Sequence, residues 1–230
     1  EQGNATQSIG TVLDITEKKR TAQAIKEIAL GATLKTGEGF FQQLVLQLAK
    51  FFGTDTIFIG LLDKEKNKTI ETIALCQQGE IIENISYLLE GAPCADVVSN
   101  QICLYPENVQ KFFPKDHLLK EMNVQGYIGI PMLDSLGAVL GLIVVLDTKP
   151  IKDTAYVTEI LEIFSTRAAA EIERKNYEDK INSSGQHLKL YREQAPIASI
   201  EWNTDFKVVN WNIAAEKIFG YSQDEIKEID

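Results

Sequence analysis

Residues 126–147 constrain the fold of this chain more than any other stretch. They read Gly-Tyr-Ile-Gly-Ile-Pro-Met-Leu-Asp, then Ser-Leu-Gly, then Ala-Val-Leu-Gly-Leu-Ile-Val-Val-Leu-Asp. Two apolar runs rich in β-branched residues flank a turn set at 134–137, the pattern of a β-hairpin with a short loop. Odd and even positions are both apolar, so both faces of these strands must be covered. Strands covered on both faces sit inside a sheet. Gly129 and Gly141 leave room for close approach of neighbouring groups, and Pro131 belongs near a strand end or a bulge because it lacks a ladder donor.

Composition matters mainly for what it excludes. The 230 residues allow one large or two small domains. A net charge of −10 argues against nucleic acid or an anionic membrane as a partner, since both need a basic patch. The longest apolar run, 136–146, is too short to span a bilayer. Residues 1–10 are polar and do not read as a signal peptide. Cys76, Cys94 and Cys103 are odd in number and lack CxxC spacing, so neither a disulfide framework nor a zinc site is expected. A reducing cytoplasm is the simplest location. Both ends of the sequence read as cut edges of a longer polypeptide.

In chain order, 9–14 reads as a short strand, and Asp14 with Glu17 as a capping box opening a helix. That helix carries Ala22, Ile25 and Ala29 on one stripe. A second helix, with Phe40, Leu44, Leu48 and Phe51 on one face, ends at Gly53. Strands are expected at 55–63, 68–76 and 84–89, with a turn at 77–80. Short helical pieces at 93–99, 109–113 and 117–122 surround a strand at 102–105. Beyond Pro150 lies one long helix. Val157, Ile160, Leu161, Phe164, Ala168 and Ile172 fall within an arc of about 120° at ~100° per residue. From 173 the helix turns polar, with sparse apolar marks at Ile181, Leu188 and Tyr191, which suits pairing with a second copy. Strands at 197–202 and 207–211, a helix capped by Asn212 and a capping box of Ser222 with Glu225 complete the pattern.

Three segments together resemble a GAF domain: 126–132, 136–147, and Gly-Ala-Pro-Cys-Ala-Asp-Val-Val at 91–98. The resemblance implies an α+β fold with an antiparallel sheet of about six strands. Helices 38–52 and 153–172 would cover one face, the 126–147 hairpin would lie near the middle, and long linker helices would flank the domain. Residues 10–20, Gly-Thr-Val-Leu-Asp-Ile-Thr-Glu-Lys-Lys-Arg, resemble the end of a PAS domain, and the stretch from Gln194 resembles the start of another. The implied organisation is the end of a PAS domain at 1–14, a linker helix at 15–35, a GAF domain at 36–172, a second linker helix at 173–193 and a PAS opening at 194–230. Such strings resemble the sensory half of bacterial sensor histidine kinases and diguanylate cyclases. No output-domain motif is present: neither His117 nor His187 has a phospho-acceptor context, and no Gly-Gly-Asp/Glu-Glu-Phe run occurs.

The resemblance implies a non-catalytic sensory and dimerisation module. Its ligand pocket would lie between the sheet and the short helices of 91–123, lined by Cys94, Asp96, Tyr105, Phe112 and Tyr127. Parallel homodimerisation would use Ala22, Ile25 and Ala29 with Val157, Phe164, Ala168 and Ile172. The competing classes are a methionine sulfoxide reductase using Cys94 and Cys103, and a bilin photoreceptor. No cofactor is named by the sequence. Cys94 is followed by Ala95 and Cys103 by Leu104, against a covalent bilin. The setting of His117 reads as an exposed helix start, against haem. Asn67-Lys68 alone does not make a cyclic-nucleotide signature.

Overall fold

The computed structural model describes residues 37–63 and 68–228, together with Gln23 and Lys26. The predicted strand at 9–14 and the stripe of Ala22, Ile25 and Ala29 lie outside the described residues. The chain divides into two compact units, Glu1–Glu173 and Arg174–Asp230.

The first unit is built on the expected hairpin. Strand β6 (Gly126–Leu133) pairs antiparallel with β7 (Val139–Asp147), with a bulge one residue beyond Pro131, between Met132 and Leu133. The Asp134 carboxylate accepts from the Leu136 and Ala138 amides at 2.9 and 2.8 Å, and Gly137 takes a φ of 83°, which closes the loop. Strand β7 also pairs with β1 (Thr56–Leu62), and β1 with β2 (Thr69–Gln77). On the other flank, β5 (Cys103–Tyr105) pairs with β6.

The outer edge of β2 differs from the sequence reading. The turn expected at 77–80 is a two-residue reversal in which Gln78 and Gly79 both take positive φ. It leads into a two-residue strand, β3 (Glu80–Ile81), while β4 (Ser86–Leu88) pairs with the far end of β2. Two short strands thus share one edge, and the order β3-β2-β1-β7-β6-β5 is six strands wide.

Side chains alternate between the two sheet faces, and both faces are covered. Helix α1 (Glu38–Phe52) and the first part of α5 (Thr154–Gln194) cover one of them. There Leu44, Leu48 and Phe164 pack against Ile57, Ile59, Ile128, Ile130 and Ile143. Three short helices, α2 (Cys94–Val98), α3 (Val109–Phe112) and α4 (His117–Glu121), belong to the other face with Phe58, Leu75, Tyr127, Leu142 and Val144. Full burial of each large apolar side chain contributes roughly 1.5–3 kcal/mol.

This packing corrects one expectation. Val157, Phe164, Ala168 and Ile172, read above as a dimer stripe, are all buried in the subunit's own core. Their periodicity marks a buried face, and the sheet and α1 already occupy it. The end of this stretch is tied down as well. The Glu171 carboxylate accepts from the Gly37 amide at 2.9 Å, and that of Glu173 accepts from the Ser135 hydroxyl at 2.9 Å.

In the second unit, α5 ends at Gln194, and β8 (Ile200–Trp202) pairs with β9 (Val208–Trp211). Two helices follow, α6 (Ile213–Phe219) and α7 (Gln223–Glu228). Asn212 caps α6 as expected. Its carbonyl oxygen accepts from the Ala215 and Ser199 amides, and its amide donates to the Arg192 and Ile197 carbonyls, each at 2.9 Å. The Ser222–Glu225 capping box forms too.

Candidate functional site

The short-helix face carries an open-mouthed cavity of about 210 Å³. Its floor is the sheet: Thr56 and Phe58 from β1, Leu75 and Gln77 from β2, Tyr127 from β6 and Leu146 from β7. Ile82, Ile85 and Tyr87 close one side. Pro93 and Cys94 at the start of α2 close another, and Asp116, Leu118, Leu119 and Met122 on and around α4 supply the roof.

Glycine makes the polar centre of the site possible. Tyr127 and Gly129 are two residues apart on β6 and so face the same way. A Cβ on Gly129 would lie 2.5 Å from the Tyr127 hydroxyl and 2.6 Å from Val97 of α2. Without it, the Tyr127 ring lies flat along its own strand and α2 settles against it. Cys94 at the head of α2 then meets two hydroxyls. Tyr87 donates to its sulfur at 3.2 Å, and Tyr127 stands at 3.2 Å, where either group can donate.

Burial dominates the electrostatics. It pushes the Cys94 thiol from 9.0 up to about 11, against the opposing pull of the two tyrosine hydrogen bonds. Burial also raises the Tyr127 and Tyr87 hydroxyls well above their ordinary value, with the Cys94 sulfur as the next cause. All three groups are therefore uncharged near neutral pH. A protonated, buried thiol is a poor nucleophile and a poor metal ligand. All three cysteines are free and buried, and burial raises the Cys103 thiol to about 11 as well.

The five residues expected to line the pocket fall into two groups. Cys94 and Tyr127 lie on the cavity wall. Tyr105 and Phe112 pack with Phe113 in an aromatic cluster whose Tyr105 ring centroid is 6.3 Å from that of Tyr127, and they do not line the cavity. Asp96 is half-buried on α2 and raises the Cys103 thiol rather than facing the cavity. His117 is exposed at the first position of α4, away from the lining. Sequence reasoning missed Tyr87 and Asp116. The signal for Tyr87 is an aromatic residue on a short strand just ahead of the Pro93-Cys94 helix start. For Asp116 it is the helix cap it supplies, accepting from the Leu119 amide at 3.2 Å. Among the described residues no group of three or more His, Cys, Asp or Glu is placed to hold a metal ion.

Comparison with known proteins agrees with this geometry. The family model described as GAF domain matches residues 37–172. A curated relative, "Hybrid signal transduction histidine kinase F" of Dictyostelium discoideum, is 29% identical over 142 residues, which are 62% of this chain and 12% of that protein. The chain therefore spans only a small part of that relative's length. Among solved structures, the GAF domain of an Acinetobacter phosphoenolpyruvate-protein phosphotransferase superposes with a TM-score of 0.55 at 16% identity. That match covers 73% of this chain and 99% of the other. The A. aeolicus nlh2 GAF domain in an inactive state gives a TM-score of 0.53 at 14% identity, covering 69% and 99%. At such identities the structural likeness speaks for the fold alone.

Proposed function

This chain belongs to the GAF domain family through residues 37–172, and on that premise we propose that it is a sensory module in which the cavity under the short helices receives a small molecule and α5 carries the response. The observation that supports this reading most is the cavity on one sheet face, opposite the face that α5 packs on. Strand β7 contributes to both. Leu146 lines the cavity, while Ile143 and Val145 pack in the core with Phe164 of α5. A change on one side of β7 is therefore one layer of side chains from the other.

The parent protein we propose is a multidomain histidine kinase, with a diguanylate cyclase as the alternative. The histidine-kinase relative favours the first. Residues 194–230 we read as the opening of a PAS domain, supported by the β8–β9 hairpin and the two capped helices that follow. Among the described residues no helix is long and apolar enough to cross a membrane.

The module is also proposed to dimerise in parallel. Since 157–172 is used within the subunit, the part of the expected interface that remains on α5 is its polar end. Tyr177, Ile181, Leu188 and Tyr191 are exposed there at offsets 0, 4, 11 and 14, the spacing of a coiled-coil seam.

Two experiments test these readings. In a thermal-shift screen of small molecules, compounds that raise the Tm of the wild type should fail to do so once Leu118→Trp fills the cavity. Compounds that act equally on both proteins place the binding elsewhere. In sedimentation, Ile181→Glu should turn a dimer into a folded monomer. A wild-type monomer at tens of micromolar counts against the dimer.

A further inference from the structure

We propose that the cavity selects an uncharged molecule of about ten non-hydrogen atoms, with an apolar body and an N–H or O–H group that donates to the Tyr87 hydroxyl oxygen. This rests on the sensory reading above and adds the chemical class of the ligand.

Size comes first. At the packing density of a protein interior, about 0.75, a cavity of 210 Å³ holds on the order of ten non-hydrogen atoms. That is one or two rings with a short substituent.

Charge comes second. No Lys, Arg or His is among the described residues that line the cavity. An anion would leave water without a counter-charge and would meet the Asp116 carboxylate. Taking an ion out of water without a counter-charge is unfavourable. The lining therefore disfavours phosphates and carboxylates. A cation would find Asp116 as the one carboxylate in a mostly apolar lining, already accepting from the Leu119 amide, in exchange for part of its water.

Hydrogen-bond polarity comes third. The Tyr87 hydroxyl gives its proton to the Cys94 sulfur, so its oxygen is left with acceptor capacity. Tyr127 meets the same sulfur. A ligand group that donates to the Tyr87 oxygen completes the network, whereas one that only accepts meets, at Tyr87, a hydroxyl whose proton is already given to the sulfur.

Tryptophol, tryptamine and indole-3-acetate share an indole ring and a two-carbon arm, and they end in a hydroxyl, an ammonium and a carboxylate. Titration calorimetry of the whole chain at pH 7 should find tryptophol binding at least 10-fold more tightly than either charged congener. Tyr87→Phe, which keeps the ring and removes the acceptor, should weaken tryptophol about 5-fold or more. Leu118→Trp should abolish binding while the circular dichroism stays native. A charged congener that binds as tightly as tryptophol overturns the ligand class and leaves the pocket standing. Binding that survives Leu118→Trp overturns the pocket reading itself. Failure of all three compounds to bind at millimolar concentration overturns the assignment of size and polarity.

Discussion

The two faces of the central sheet are made from the same strands and have opposite interiors. One face receives two long helices whose apolar stripes interdigitate with Ile57, Ile59, Ile128, Ile130 and Ile143. The other receives helices of four or five residues, two buried thiols, the buried Tyr127, the half-buried Tyr87 and a cavity. A long amphipathic helix presents several turns to the sheet at once and can fill the space beneath it. A helix of one turn presents two or three side chains, and its ends carry unsatisfied backbone groups. Gaps between such pieces are hard to close. The difference assigns stability to one face and adaptability to the other.

Equal truncations on the two faces sharpen this contrast most. Leu48→Ala, at a fully buried position against the long helices, should cost about 2–5 kcal/mol in urea denaturation. Leu118→Ala, at a half-buried position beside an existing cavity, should cost about 1 kcal/mol, because the space left behind joins space already open. Equal costs would break the comparison.

A second effect on the cavity face depends on pH. The Cys94 thiol titrates near 9.0 in the unfolded chain and near 11 in the folded one. Between these values the folded state keeps a proton that the unfolded state has lost, so the stability it supplies is full below pH 9 and is lost as pH rises toward 11. The slope should remove on the order of 2–3 kcal/mol. Tyr87 and Tyr127, raised in the same direction, act with the same sign at higher pH. In Cys94→Ala the fall between pH 9 and 11 should be markedly shallower, and an unchanged slope would place the titration elsewhere.

The third effect tests how the site is assembled. Gly129→Ala puts a methyl group against the Tyr127 hydroxyl and Val97, and should cost about 1–3 kcal/mol in the same urea assay. Gly185, on the exposed part of α5, has nothing within 4 Å of its would-be Cβ. Gly185→Ala should instead stabilise the helix by about 1 kcal/mol.

Much of this architecture is legible in the sequence because it is written in local chemistry. The hairpin shows itself through two unbroken apolar runs around a turn set, and the two-sided burial of β6 and β7 follows from the absence of alternation. Asn212, Ser222 and Glu225 read correctly as caps because capping involves neighbours three residues apart. The split edge of β2 into β3 and β4 is not legible, since strands of two and three residues carry too few side chains to show a period. The stripe at 157–172 teaches a different lesson. Periodicity reports that one helix face is buried, and it does not report what covers it. A second copy and the subunit's own sheet leave the same pattern. For the site, Cys94 and Tyr127 emerge from their segments, but Tyr87 and Asp116 reach the cavity through β4 pairing and through the cap of α4, neither of which spacing alone can place. Tyr105 and Phe112 carry the residue types of a pocket and instead form the aromatic layer behind Tyr127.

Native-state hydrogen exchange tests the central claim, that one face holds the fold together while the other is free to adapt. Amides of α2 and α4 should exchange through openings of lower free energy than those of α1, β1 and β7, which should open only with global unfolding. Saturation with a molecule that occupies the cavity should slow the first group selectively. Exchange of both faces at the single free energy of global unfolding, with or without a bound molecule, would contradict the account.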